Sequence, residues 1–150
     1  MLSDTAPPLS KPFRRKPRVL VVDDEPIMLR TIRRIFKRAH PEWQLVTAHS
    51  GDSALALLKR RSFDVLVTDL RMIGMQGRTL LELTRVHHPA VMRIIHSAHI
   101  DSLPPDNPDA PLAHRRIEKP CSSRALIEAV EWALETAAPR SPRGDNSACS

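Results

Sequence analysis

FDVLVTD, residues 63–69, decides the fold. It is an almost unbroken apolar run, rich in β-branched residues and too short for a helix. An apolar strand without polar alternation must be covered on both faces, which is the condition of a central strand in a parallel sheet. The run ends on an aspartate, Asp69.

The same punctuation repeats on either side. Residues 18–22, RVLVV, predict a strand that ends on Asp23-Asp24. Pro26 suits the first turn of a helix. That helix runs to about residue 39, with Met28, Ile32, Ile35, Phe36 and Ala39 on one stripe. Its other face carries Arg30, Arg33, Arg34, Lys37 and Arg38, with no acid among them. Residues 43–48 predict a strand, and Ser50-Gly51-Asp52 precede a helix over 53–60. Gly77 leads into a helix to about residue 86, closed by Pro89. Residues 91–96 and 115–118 predict the last two strands. Ser122 or Ser123 caps a final helix that turns Leu126, Ala129, Val130, Ala133 and Leu134 inward. The alternation predicts an α/β domain with a parallel sheet covered on both sides. Ligands of such sheets sit at the carboxyl ends of the strands. Asp23-Asp24, Asp69, Ser97 and Lys119 all fall there.

Composition bounds the rest. Apolar residues make up 41% of the 150, with two Trp, three Phe and no Tyr, so the core must be aliphatic. Residues 1–17 and 138–150 are rich in Pro and charge and read as disordered tails, the first of them basic; residues 18–137 form the domain. The net charge is +6, and Lys11, Arg14, Arg15 and Lys16, with Arg18 at the first strand, place much of it before or at the start of the fold. No nucleic-acid motif accompanies that charge, so nucleic-acid binding is not expected. No apolar run approaches ~18 residues and no secretory signal opens the chain, so membrane insertion is not expected. Cys121 and Cys149 lack disulfide or metal spacing and read as free thiols of a reducing, cytoplasmic setting. His87, His88, His96 and His99 read as structural or surface residues, since no Cys or second HxxxH supports a transition metal.

The chemistry follows from the strand ends. Three carboxylates together repel, and a hard divalent cation with a nearby lysine relieves them. Magnesium, which takes oxygen ligands and keeps waters, suits Asp23, Asp24 and Asp69. An Asp oxygen beside that cation can attack a phosphoryl donor, with Lys119 and the Ser97 hydroxyl to meet the transferred charge.

VLVVDDEP, LVTDLRM, IIHSA and IEKP, in this order, resemble the receiver domain of bacterial response regulators over about residues 18–136. The resemblance implies a flavodoxin-like, doubly wound five-stranded sheet of order 2-1-3-4-5. It implies that Asp69 is the phospho-acceptor and that Asp23, Asp24, Asp69 and the Arg71 main-chain carbonyl hold Mg2+. Ser97 and Lys119 would bind the phosphoryl group, and the peptide to Pro120 is expected to be cis. The donor would be a sensor histidine kinase or a histidine phosphotransfer protein, and an unknown downstream protein would receive the signal. With twelve residues after Ala138, the resemblance is to the stand-alone, single-domain type. It would signal by phosphorylation-dependent binding or phosphorelay rather than as an enzyme. The alternative is a degenerate receiver, an interaction module that needs no phosphate. A haloacid-dehalogenase-type phosphatase is disfavoured, because Arg71 stands where its acid/base aspartate is required.

Four departures from the family pattern stand out. DLRMIGMQG has Ile73 where a proline is usual, and Gln76 before the glycine. Arg71 and His99 occupy the positions that tune loss of the phosphoryl group, and the arginine predicts a long-lived phospho-state. Pro104, Pro105, Pro108 and Pro111 fall where receivers place their fourth helix. Each costs ~3 kcal/mol in a helix interior, which predicts an irregular Pro-rich loop over residues 101–112. Arg116 stands at the switch position in place of an aromatic. Burying an unpaired guanidinium is costly, so the usual inward swing is expected to fail.

Overall fold

A computed structural model describes residues 16–103, 105 and 111–137. Both predicted tails beyond Lys16 and Ala137, together with Pro104 and residues 106–110, lie outside the described residues. Five parallel strands take the order β2-β1-β3-β4-β5. They are β1 (Arg18–Val22), β2 (Gln44–Ala48), β3 (Val65–Thr68), β4 (Met92–Ser97) and β5 (Arg115–Glu118). The helices are α1 (Pro26–Ala39), α2 (Gly51–Arg60), α3 (Gly77–His87) and α4 (Ser123–Thr136). The fold is flavodoxin-like, with β1 and β3 paired in register at the centre, Val19 to Val22 opposite Val65 to Thr68.

The pleat sorts the strand residues into two cores. Val19, Val21, Val65, Val67, Met92 and Ile94 face α1 and α4. Leu20, Val22, Leu66 and Ile95 face α2 and α3. Each aliphatic side chain fully removed from water contributes about 1.5–3 kcal/mol before the entropy cost. Residues this apolar on both sides hold the strand ends, and the acids placed on them, in fixed positions.

Two boundaries differ from expectation. The inward stripe of α1 is Leu29, Ile32 and Phe36, with Met28 and Ile35 half-buried, whereas Ala39 is exposed. Ala39 is the last helical residue, so its turn runs beyond the layer it covers. Helix α2 begins at Gly51 rather than 53, because the Ser50 hydroxyl accepts the Ser53 N–H at 3.1 Å and caps it. For α4 the cap is Ser122, which accepts from the Ala125 N–H at 3.0 Å.

Between β4 and β5 the described residues contain one 3-10 turn, Ile100–Ser102, and no α-helix. Arg93, which the sequence reading did not single out, is buried near the start of β4. Its guanidinium donates to the carbonyls of Leu112 at 3.0 Å, Val91 at 3.1 Å and Pro111 at 3.1 Å. A buried charge is tolerable when hydrogen bonds surround it, and here they fasten the end of the Pro-rich segment to the sheet. No helix among the described residues is long and apolar enough to cross a membrane.

Candidate functional site

The sheet ladder itself delivers the acids. The Asp23 N–H donates to the Ala48 carbonyl at 3.2 Å and the Asp69 N–H to the Val22 carbonyl at 3.1 Å. Both residues therefore sit one step past the carboxyl ends of the two central strands. The Lys119 N–H donates to the Ser97 carbonyl at 3.0 Å, which sets the ends of β4 and β5 beside them.

Lys119 Nζ lies 2.8 Å from Asp23 Oδ2 and 3.0 Å from Asp69 Oδ2. Burial alone would lower its pKa, but the hydrogen bonds and charges of Asp23 and Asp69 hold the ammonium above the usual lysine range. Asp23 is the sealed member of the pair, its side chain 2% exposed, with Oδ1 accepting the Glu25 N–H at 3.0 Å. Asp69 is open on one side at 12%, and its Oδ1 accepts the Leu70 N–H at 2.7 Å. Of the two acids that Lys119 bridges, Asp69 is the one that combines fixed orientation with an approach from solvent. Asp24 is half-buried, and its Oδ2 accepts the Ile73 N–H at 3.2 Å. It faces the loop from β3 to α3.

That loop is held without the usual proline. The Gln76 side chain donates to the Met72 carbonyl at 2.8 Å and accepts the Met72 N–H at 3.3 Å. Gly74 takes φ 83, and Ile73 is left 85% exposed. Gly77 lets α3 approach Asp69: a Cβ there would stand 1.8 Å from the Asp69 carbonyl oxygen. The sequence signal for this closeness, a glycine at the first turn of a helix, is weak.

Ser97 is fully buried, and its Oγ accepts the His99 N–H at 3.1 Å. Since a hydroxyl accepts and donates, its proton remains available. Arg71 and His99 are exposed in the loops two residues beyond Asp69 and Ser97. Arg116 is half-buried in β5, in register with Ile95. The Lys119–Pro120 peptide is cis. Beneath Lys119, the buried His96 ring lies 3.6 Å from Cys121 Sγ, a contact that sequence reasoning missed. Burial, and then Lys119, lower the His96 pKa to about 4, so the ring is neutral at neutral pH. Burial likewise raises the Cys121 thiol.

The arrangement brings Asp23 and Asp69 to one ammonium and turns Asp24 toward the loop. Among the described residues, no three His, Cys, Asp or Glu side chains form a ready metal-ligand group. The available donors at the strand ends are carboxylate oxygens, few in number, with Asp24 and Asp69 reached by water. This set fits magnesium, which binds through one or two carboxylates and retains waters, better than metals that seek nitrogen or sulfur.

The family model of the response regulator receiver domain matches residues 19–131. The transcriptional regulatory protein GlrR of Escherichia coli K12 is 33% identical over 126 residues, which take in 81% of this chain and 27% of GlrR. The chain thus spans about a quarter of the length of that relative. Its fold is similar to a CheY-like receiver domain protein of Methanospirillum hungatei, with TM-score 0.71, 23% identity and coverage of 81% and 95% of the two chains. It is also similar to the response regulator TrrA of Thermotoga maritima, crystallised with Mg(2+)-BeF, with TM-score 0.69, 23% identity and coverage of 79% and 99%.

Proposed function

The chain belongs to the response regulator receiver domain family, and on that premise we propose that Asp69 accepts a phosphoryl group from a phosphohistidine. The donor is a sensor histidine kinase or a phosphotransfer protein in the cytoplasm. The observation that carries this reading is the ammonium of Lys119 bridging Asp23 and Asp69 at 2.8 and 3.0 Å. An Asp69 oxygen attacks phosphorus; a P–O bond forms while the P–N bond breaks. The electron pair of that bond stays on the imidazole nitrogen, which takes up a proton. Asp23, Asp24, Asp69 and the Arg71 main-chain carbonyl are the groups to hold Mg2+, which when bound neutralises phosphoryl charge. Lys119 follows the new oxygens, and the Ser97 hydroxyl turns its proton toward them. The protein then signals by phosphorylation-dependent binding or passes the group on, with no small-molecule turnover.

Intact mass after incubation with magnesium and acetyl phosphate tests the proposal. We expect one phosphoryl adduct, absent in Asp69→Ala. No adduct on the wild type would favour a phosphate-independent interaction module, a reading supported by the half-buried Arg116 where the family carries an aromatic. The exposed Arg71 shields the phosphoryl group from water, so Arg71→Asn should shorten the phospho-state in a dephosphorylation time course. An unchanged rate would remove that role.

A further inference from the structure

The outer face of α1 carries Arg30, Arg33, Arg34, Lys37 and Arg38, all exposed. None of the five forms an ion pair among the described residues. Like charges four residues apart, as at 30/34, 33/37 and 34/38, weaken a helix. The fold tolerates this without supplying an acid of its own. Two glutamates at the C-terminal end of α1 are engaged by its C-cap residue: His40, stacked on Trp43 at 3.9 Å, holds Glu42 at 3.0 Å and Glu131 at 2.6 Å.

A groove lies toward the far end of this face, lined by Arg33, Lys37 and His40 beside Phe36, Trp43 and Leu45; Arg33 also donates to Thr47 Oγ1 at 3.0 Å. Helix α1 has 14 residues and runs back from the strand end that bears Asp23. The groove, lined on α1 from Arg33 to Lys37, is therefore roughly 10–17 Å along the helix from the acceptor end. It is separate from the site of phosphoryl transfer.

We propose that the outer face of α1 and this groove bind an acidic segment of a partner protein, a single helix or strand with one bulky apolar side chain for the groove. The width of the patch argues for a narrow ligand. Helix α4 packs beside α1 and exposes Glu128 and Glu135. A broad polyanion, such as duplex nucleic acid or an anionic membrane, would press phosphates against those acids. The apolar floor of the groove, which phosphate cannot use, points the same way.

Fluorescence anisotropy with a labelled amphipathic peptide of Glu, Ala and Leu tests the inference on the full chain. We expect saturable binding, weakened at least about tenfold by R33E/K37E. K59E/R60E, an equal charge change at exposed sites on α2, should leave it intact, and replacing Leu by Ala in the peptide should weaken it. R33Q/K37Q should weaken binding in the same direction, and guards against misfolding in the reversed variant. Equal loss in the α2 variant would overturn the proposal. So would duplex DNA or phosphatidylglycerol vesicles binding as tightly with the same dependence on Arg33 and Lys37. Self-association lost in R33E/K37E would assign the face to a second copy and overturn it too.

Discussion

The carboxyl ends of β1 and β3 and the amino ends of β4 and β5 are built on different terms. At β1 and β3, main-chain bonds place Asp23 and Asp69, and one lysine ties them at about salt-bridge distance. Each acid there is set by its own backbone and a neighbour one or two residues away. At the amino ends of β4 and β5 a buried arginine, Arg93, gathers three carbonyls, two of them from the end of the Pro-rich segment. The first carries the acids proposed to hold metal and phosphoryl; the second carries none of them and anchors the Pro-rich segment. The difference teaches that the placement of the acids and the anchoring of that segment rest on separate hydrogen bonds within one sheet.

Three substitutions press on that separation. Gly77→Ala should have the largest effect. Its new methyl must displace the Asp69 backbone, which stands 1.8 Å away. A loss of about 3 kcal/mol in urea unfolding is expected, together with failure to take up phosphoryl from acetyl phosphate. A normal adduct yield would break the claim that α3 positions the acceptor. Arg93→Met should cost about 2 kcal/mol, since carbonyls lose a charged donor. It should leave the phosphoryl adduct of Asp69 intact while raising proteolytic cleavage near residue 112. Loss of the adduct would join the two regions that the comparison keeps apart.

The third concerns His96, which sits between them. Its folded pKa of about 4 lies below the ordinary value of 6.5, because of burial first and Lys119 second, with Asp23 and Asp69 pulling the other way. Between pH 6.5 and 4 the unfolded chain binds more protons than the folded one. Stability should therefore fall on acidification across that window and stop falling below it. With some solvent screening the cost is between about 1 and 2 kcal/mol. Urea titrations at pH 7 and pH 4.5 should show a larger drop for the wild type than for His96→Gln. Equal drops would assign the acid sensitivity to the carboxylates alone.

Much of this was legible in the sequence, for physical reasons that differ by region. The run at 63–69 could hardly be anything but a covered strand, and Asp69 follows from where it stops. Pro26 and Ser122 mark helix starts by their own chemistry. The inward stripe of α1 was misjudged at both ends: Leu29 is buried and Ala39 is not. Periodicity gives a face, whereas the extent of the covering layer decides how far along the helix that face is used. Arg93 was illegible because only one of its three carbonyls, that of Val91, is local; the other two come from residues 111 and 112. The His96–Cys121 contact is equally remote, between neighbouring ends of β4 and the loop after β5.

The sheet's outermost strands carry one more consequence. Strand β5 reads RRIE, four residues of which three are charged, and β2 on the opposite side starts from an exposed Gln44. Short, charged borders discourage another chain from continuing the ladder. Aggregation by strand addition is thereby blunted, and any partner must meet this molecule through helices or loops.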